Sequence, residues 1–286
     1  MVRAGPRPPA EGAPASVVAE DAGYRIDRRD LVGGVSFALE PGTLTAMVGP
    51  NGAGKSTMLG LLAGDLAPSA GSVRIAGRLP GQWRPRELAL HRSVMLQQAT
   101  SNFGFSVAES VGMGRLPHDA DPGRDRAAVE AAVAESDLAA LRDRDVTTLS
   151  GGEAARVAYA RTSAQQAPVV LLDEPTAALD LKHQEGLLAA ARERRDEGAC
   201  VVVVLHDLNL AARYADRVLV FAAGRLVADG APADVLTEER IEAVYGQRVH
   251  ILRHPTSRAP VIVPAEEVPG PGTPVRPSGG ETAAGR

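Results

Sequence analysis

One cysteine stands among 286 residues, Cys200, and it opens the apolar run CVVVVL. No disulfide can form within the chain, which excludes a cystine-stapled scaffold and suits a reducing compartment. In such a run the thiol reads as a small buried hydrophobe rather than a reactive group. Positive charge is not in excess either: 31 Lys and Arg against 35 Asp and Glu leave a formal charge of -4. The chain therefore lacks the basic field that grips a phosphate backbone, and nucleic acid is not an expected partner. No apolar run approaches the roughly 20 residues of a membrane-spanning helix. The opening MVRAGPRPPAEGAPAS has nothing like the apolar segment of a signal peptide. The expectation is a soluble protein that reaches a membrane only by docking. Bulky apolar residues are also scarce in residues 1–16 and 265–286, which are rich in Pro and Gly and read as disordered tails. No internal repeat is evident.

What lies between, residues 17–264, reads as one domain with ample core, since 44% of the chain is hydrophobic. VSFALEPGTLTAMVG and GSVRIAG read as strands of a β-rich part, with a turn at Pro41 and Gly42. From about residue 105 to 164 the pattern turns helical: AVEAAVAESDLAAL repeats small apolar residues at three- and four-residue spacing, a helical insertion. PVVLLDE and ACVVVVLHD are continuous apolar runs, expected of parallel strands buried on both faces. QEGLLAAARERRDEG between them reads as a helix, so the centre is α/β. TLTAMVG, VVLLDE and CVVVVLH each end in chemistry: a glycine loop, the Asp173–Glu174 pair, and His206. Ligands of open α/β sheets bind beyond the carboxyl ends of strands, so the three should share one edge.

GPNGAGKST fits G-x-x-x-x-G-K-[ST] at Gly49, Gly54, Lys55 and Ser56, with a strand before it and a helix after. Through Asn51, Gly52, Ala53 and Thr57 the backbone can wrap so that its N–H groups meet phosphate oxygens. Lys55 would reach the β- and γ-phosphates of ATP, and the Ser56 hydroxyl would take one position on Mg²⁺. Asp173 would hold Mg²⁺ through water, and Glu174 would face the attacking water. Two adjacent carboxylates at a buried strand end expect a cation. His206 is placed to contact the γ-phosphate and that water. In LSGGE, Ser150 and Glu153 have the spacing of a capping box. The Ser150-Gly151-Gly152 helix start is also an anion site, for this chain's nucleotide or another molecule's.

GPNGAGKST, LSGGE, VVLLDEPTAALD and His206, in that order, resemble the ATP-binding subunit of an ATP-binding cassette (ABC) transporter. The resemblance covers roughly Val17 to Pro264. It implies a P-loop NTPase fold of ABC ATPase type: a parallel core sheet, an antiparallel β subdomain and the helical insertion. It implies that Tyr24, 25 residues before Gly49, stacks on adenine. It implies that Gln97, or Gln98 beside it, links the Mg²⁺ site to the insertion, although Leu96 stands where the family usually has proline. Asp180 matches the loop that crosses to a second subunit. Two such chains would pair head to tail, Ser150, Gly151 and Gly152 of each completing the partner's ATP site. The pair would sit peripherally on the cytoplasmic face of the membrane, on two membrane-spanning permease subunits served indirectly by an external substrate-binding protein. Phe103 to Phe105 would form part of the permease groove. Ala154 and Ala155 replace the glutamine common after LSGGE, with Arg156 retained.

SNFGFSVAESVGMGRLPH and VLTEERIEAVYGQRVHILRHPTSRAPVIVP are similar to cassettes that energise import of haem, ferric siderophores and cobalamin. The His254-Pro255 pair and VIVP favour haem among these; His254 itself reads as solvated, not as a haem ligand. A DNA-repair or chromosome ATPase would place a long coiled coil before the signature, whereas only about fifty residues separate Gln97 from Leu149. A translation-linked protein would carry two cassettes. A soluble regulatory ATPase without transport is left open by sequence.

Overall fold

The computed structural model describes residues 16–97 and 103–265. The tails assigned from sequence fall almost wholly outside these residues, as does Gln98. In chain order the strands are β1 (Val17–Ile26), β2 (Arg29–Leu39), β3 (Leu44–Val48), β4 (Ala70–Ile75), β5 (Arg92–Met95), β6 (Val169–Asp173), β7 (Cys200–Val204), β8 (Arg217–Ala222), β9 (Arg225–Gly230), β10 (Val249–Arg253) and β11 (Pro260–Pro264). The helices are α1 (Lys55–Ala63), α2 (Pro85–His91), α3 (Val107–Gly112), α4 (Pro122–Glu135), α5 (Gly151–Ala164), α6 (Leu181–Asp196), α7 (Leu208–Tyr214), α8 (Pro232–Val235) and α9 (Glu238–Tyr245).

Six strands form the central sheet in the order β5-β6-β7-β3-β8-β9. The first five run parallel and β9 closes the edge antiparallel to β8. Every residue of β3, β6 and β7 is buried, as their unbroken apolar runs require. Alternate side chains feed opposite faces: Val201 and Val203 join a core with α5, α6 and α7, while Val202 and Val204 join a second core with α1 and the outer sheet. Burying each such side chain contributes about 1.5–3 kcal/mol.

The outer sheet, β2-β1-β4, is antiparallel. The stretch from Val35 to Gly49 is thus divided between two sheets: β2 alternates buried and exposed residues and joins the outer sheet, whereas the wholly buried β3 lies at the centre of the main one. Residues 107–164 carry α3, α4 and α5 around a separate small core of Val107, Val111, Val133, Leu138 and Val157. The pattern in AVEAAVAESDLAAL does not run as one helix. Glu135 ends α4, and Asp137 takes a left-handed φ of 52°. Arg156 secures that helix end by donating to the carbonyls of Ser136 and Asp137.

Candidate functional site

The glycine loop leaves β3 and enters α1 with Gly49 at φ 150° and Gly54 at φ 97°. A Cβ at Gly49 would collide with the Phe221 carbonyl, and one at Gly54 would lie 2.6 Å from the Leu31 carbonyl. Both glycines are therefore demanded by close packing against β8 and β2. The loop is held from outside: the Gly224 N–H donates to the Ala53 carbonyl (3.1 Å), and Gly33 donates to Gly224 (2.9 Å). At the start of α1, Gly54 supplies no side-chain cap and the first turn has no acidic residue. The positive end of this helix is left open for an anion.

Lys55 is 5% exposed, and its Nζ donates to the carbonyls of Gly49 (2.7 Å) and Pro50 (3.1 Å). Burial holds its pKa below the usual lysine value, against the pull of Glu174 and Asp173. The Ser56 hydroxyl donates to Asp173 Oδ1 at 3.2 Å. Burial pushes the Asp173 carboxyl up, the Ser56 hydrogen bond opposes this, and the neighbouring Glu174 charge adds to it. A hydroxyl and a buried, disfavoured carboxylate suit a cation that completes its shell from phosphate and water, as Mg²⁺ does. Among the described residues no cluster of three or more His, Cys, Asp or Glu could hold a metal by itself.

Glu174 directly follows β6 and sits at φ 48°, a left-handed conformation that costs an L-residue about 1 kcal/mol or more. Two loops grip its carboxylate. Gln97 donates through Nε2 to Oε2 (2.6 Å), and His206 Nε2 lies 2.5 Å from Oε1. Thus residues one or two positions beyond β5, β6 and β7 converge at one carboxylate, as parallel neighbours should. A cavity of about 520 Å³ opens here, lined by Asn51 to Thr57 with Gln97, Glu174 and His206. Arg29 and Leu31 of β2 complete it. Sequence reasoning missed both, since nothing local marks them and only the fold brings β2 against the loop.

Tyr24 does not line this cavity. It lies in β1 opposite Val32, half-buried against the core under the outer sheet. Ser150, Gly151, Gly152 and Glu153 are not in it either. They begin α5 as a closed capping box, with the Ser150 N–H donating to Glu153 Oε2 (2.7 Å) and Glu153 N–H to Ser150 Oγ (3.3 Å). Asp180 is exposed and caps α6, accepting from His183 N (2.9 Å) and lying 2.7 Å from His183 Nδ1. The signature and the Asp180 loop abut, for a Cβ on Gly152 would lie 3.1 Å from the Ala178 carbonyl.

Donors gathered at one helix end, beside a carboxylate held ready by two separate loops, define a site for hydrolysing a nucleoside triphosphate. Comparison places it more closely. The chain belongs to the ABC transporter family, whose model matches residues 32–177, and it is an ATP hydrolase of that family. It is 47% identical to the hemin import ATP-binding protein HmuV of Streptomyces coelicolor, over 92% of this chain and 96% of that protein. It is 48% identical to the HmuV of Nocardia farcinica, over 87% of each. Among solved structures it superposes with a TM-score of 0.75, at 26% identity, on an inward-facing transporter assigned to the metal-chelate type, covering 88% of this chain and 98% of that one. A dimeric ATP-binding cassette bound to ADP and Pi in a post-hydrolysis state matches with a TM-score of 0.69 at 25% identity, covering 76% and 98%. The P-loop ATPase fold expected from sequence, with its parallel core and antiparallel strands, is borne out. Among the described residues no helix is long and apolar enough to cross a membrane.

Proposed function

We propose that this chain energises hemin import. Two copies pair head to tail on the cytoplasmic face of two permease subunits, and ATP hydrolysis drives inward passage of hemin delivered by an external binding protein. The observation that carries this reading is the run of relatives named as hemin import ATP-binding proteins, 44–48% identical over at least 82% of the chain.

The residues act as follows. Backbone N–H groups of the loop from Gly52 to Thr57, with the open end of α1, bind the phosphates. Lys55 exchanges its two carbonyl acceptors for oxygens of the β- and γ-phosphates. Ser56, Asp173 and Gln97 would hold Mg²⁺, which would supply charge neutralisation at those phosphates. Glu174, steadied by Gln97 and His206, orients a water and takes up its proton as the water oxygen bonds to the γ-phosphorus and the bond to the ADP oxygen breaks. His206 bridges Glu174 and the γ-phosphate. Tyr24 packs against adenine from the outer sheet. Ser150 to Glu153 and Asp180 address the nucleotide of the second copy.

The test is ATP hydrolysis by the chain reconstituted with its membrane partner, with binding protein loaded in turn with hemin, a ferric siderophore or cobalamin. Stimulation by hemin alone is expected. Stimulation by another cargo overturns the assignment of hemin but not of transport, and failure to recover any membrane partner favours a soluble ATPase.

A further inference from the structure

Beyond β9 the chain adds α8, α9 and the β10–β11 hairpin, none of which lines the cavity. They are not a loose appendage. Val235, Leu236, Ile241, Val249 and Ile262 enter the core that holds Val203 and Leu205. The unit is tied internally, with Thr237 capping α9 and Glu238 Oε1 accepting from the Ile251 N–H at 2.8 Å. One contact leads from it toward the loops that handle ATP.

It is made by Asn209 in the opening turn of α7. Its side-chain amide pairs with a strand as another strand would: the Ile262 N–H donates to Oδ1 (2.7 Å) and Nδ2 donates to the Ile262 carbonyl (3.2 Å). The same turn is fixed by Asp207, whose Oδ1 accepts from the N–H groups of Asn209 (2.7 Å) and Leu210 (3.3 Å). His206 immediately precedes Asp207. The hairpin thus anchors the turn from which His206 reaches Glu174.

We infer that the segment from Pro232 to Ala265 is a brace that holds the His206 turn in place against Glu174, with Asn209 as its positioning residue. Asn209 does not touch substrate; it acts through His206. This rests on the reading of the glycine-loop edge as the ATP site. The brace bears on turnover rather than on nucleotide binding.

Deleting the segment would strip the core, so single substitutions in the full chain test the idea, measuring ATP binding, kcat, KM and thermal unfolding together. Asn209→Ala should lower kcat about tenfold, in keeping with the sensitivity of catalysis to small misplacements, while KM for ATP stays within about twofold. If Asn209→Ala fails to fold, Asn209→Asp retains the acceptor for the Ile262 N–H and should show the same pattern in kcat. Wild-type kinetics in the Asn209 variant, or a loss that merely tracks the folded fraction, would overturn the brace. Absence of ATP binding by the wild-type chain would instead overturn the ATP site itself, and the brace with it.

Discussion

The loop edge and the signature edge carry similar chemistry, glycines at a helix start beside acidic groups, yet their electrostatics run in opposite directions. At the loop edge burial pushes Asp173 up and Lys55 down, so both charged forms are disfavoured until something else arrives. At the signature edge, hydrogen bonds hold carboxylates below their usual range: Glu153 through the Ser150 backbone and side chain, and Asp180 through the His183 N–H. One edge is unfinished and awaits a ligand; the other is complete, exposed and aimed outward. On the proposed head-to-tail pairing, the two edges are halves of an ATP site that do not meet within one copy.

The largest break in this comparison comes from Glu174→Gln. The amide keeps the shape and the Gln97 and His206 neighbours but cannot take up the proton of water. ATP binding should survive while turnover falls by about 10²-fold or more, the scale seen when a positioned catalytic group is lost. Single-turnover hydrolysis beside equilibrium ATP binding separates the two, and near-normal hydrolysis would remove Glu174 from the role.

A mixing experiment sharpens the idea of divided halves. Lys55→Ala should weaken ATP binding, and Ser150→Arg should leave binding intact but block the face offered to a second copy. Each alone should be nearly inactive. Mixed in equal amounts, random pairing makes heterodimers with one intact composite site, so up to about a quarter of wild-type turnover should return. If the mixture stays as inactive as its parts, the head-to-tail pairing fails.

How much of this was legible in the sequence follows the same division. The loop, Asp173, Glu174 and His206 lie at ends of unbroken apolar strands, and strand length with polar punctuation exposes such positions without any contact being known. Gln97 lies after a strand of only four residues, β5, and entered only by resemblance, although its bond to Glu174 is only 2.6 Å long. Leu31 and Asn209 were invisible because their importance comes from partners far along the chain, Gly54 and Ile262. The end of α4 was not legible for a different reason: small apolar residues keep helical spacing through Leu141, and nothing in that spacing announces the left-handed Asp137.

The smallest effect is the one that isolates the unfinished state of the loop edge. Asp173 binds its proton more readily in the folded, nucleotide-free chain than when unfolded, so its contribution to stability is greatest at low pH and is lost as pH rises through its raised pKa. Glu153 and Asp180 have the opposite sign: what they contribute is present above the ordinary carboxylate pKa and lost as pH falls. Asp173→Asn removes a buried charge and can still accept from Ser56. At neutral pH it should therefore raise the unfolding midpoint of the nucleotide-free chain by about 2–4 °C, an advantage that shrinks toward acid and disappears when ATP and Mg²⁺ stabilise the wild type instead. A variant less stable than wild type at pH 7 would mean that the Asp173 charge is already compensated within the chain, and that the loop edge is not waiting for a cation.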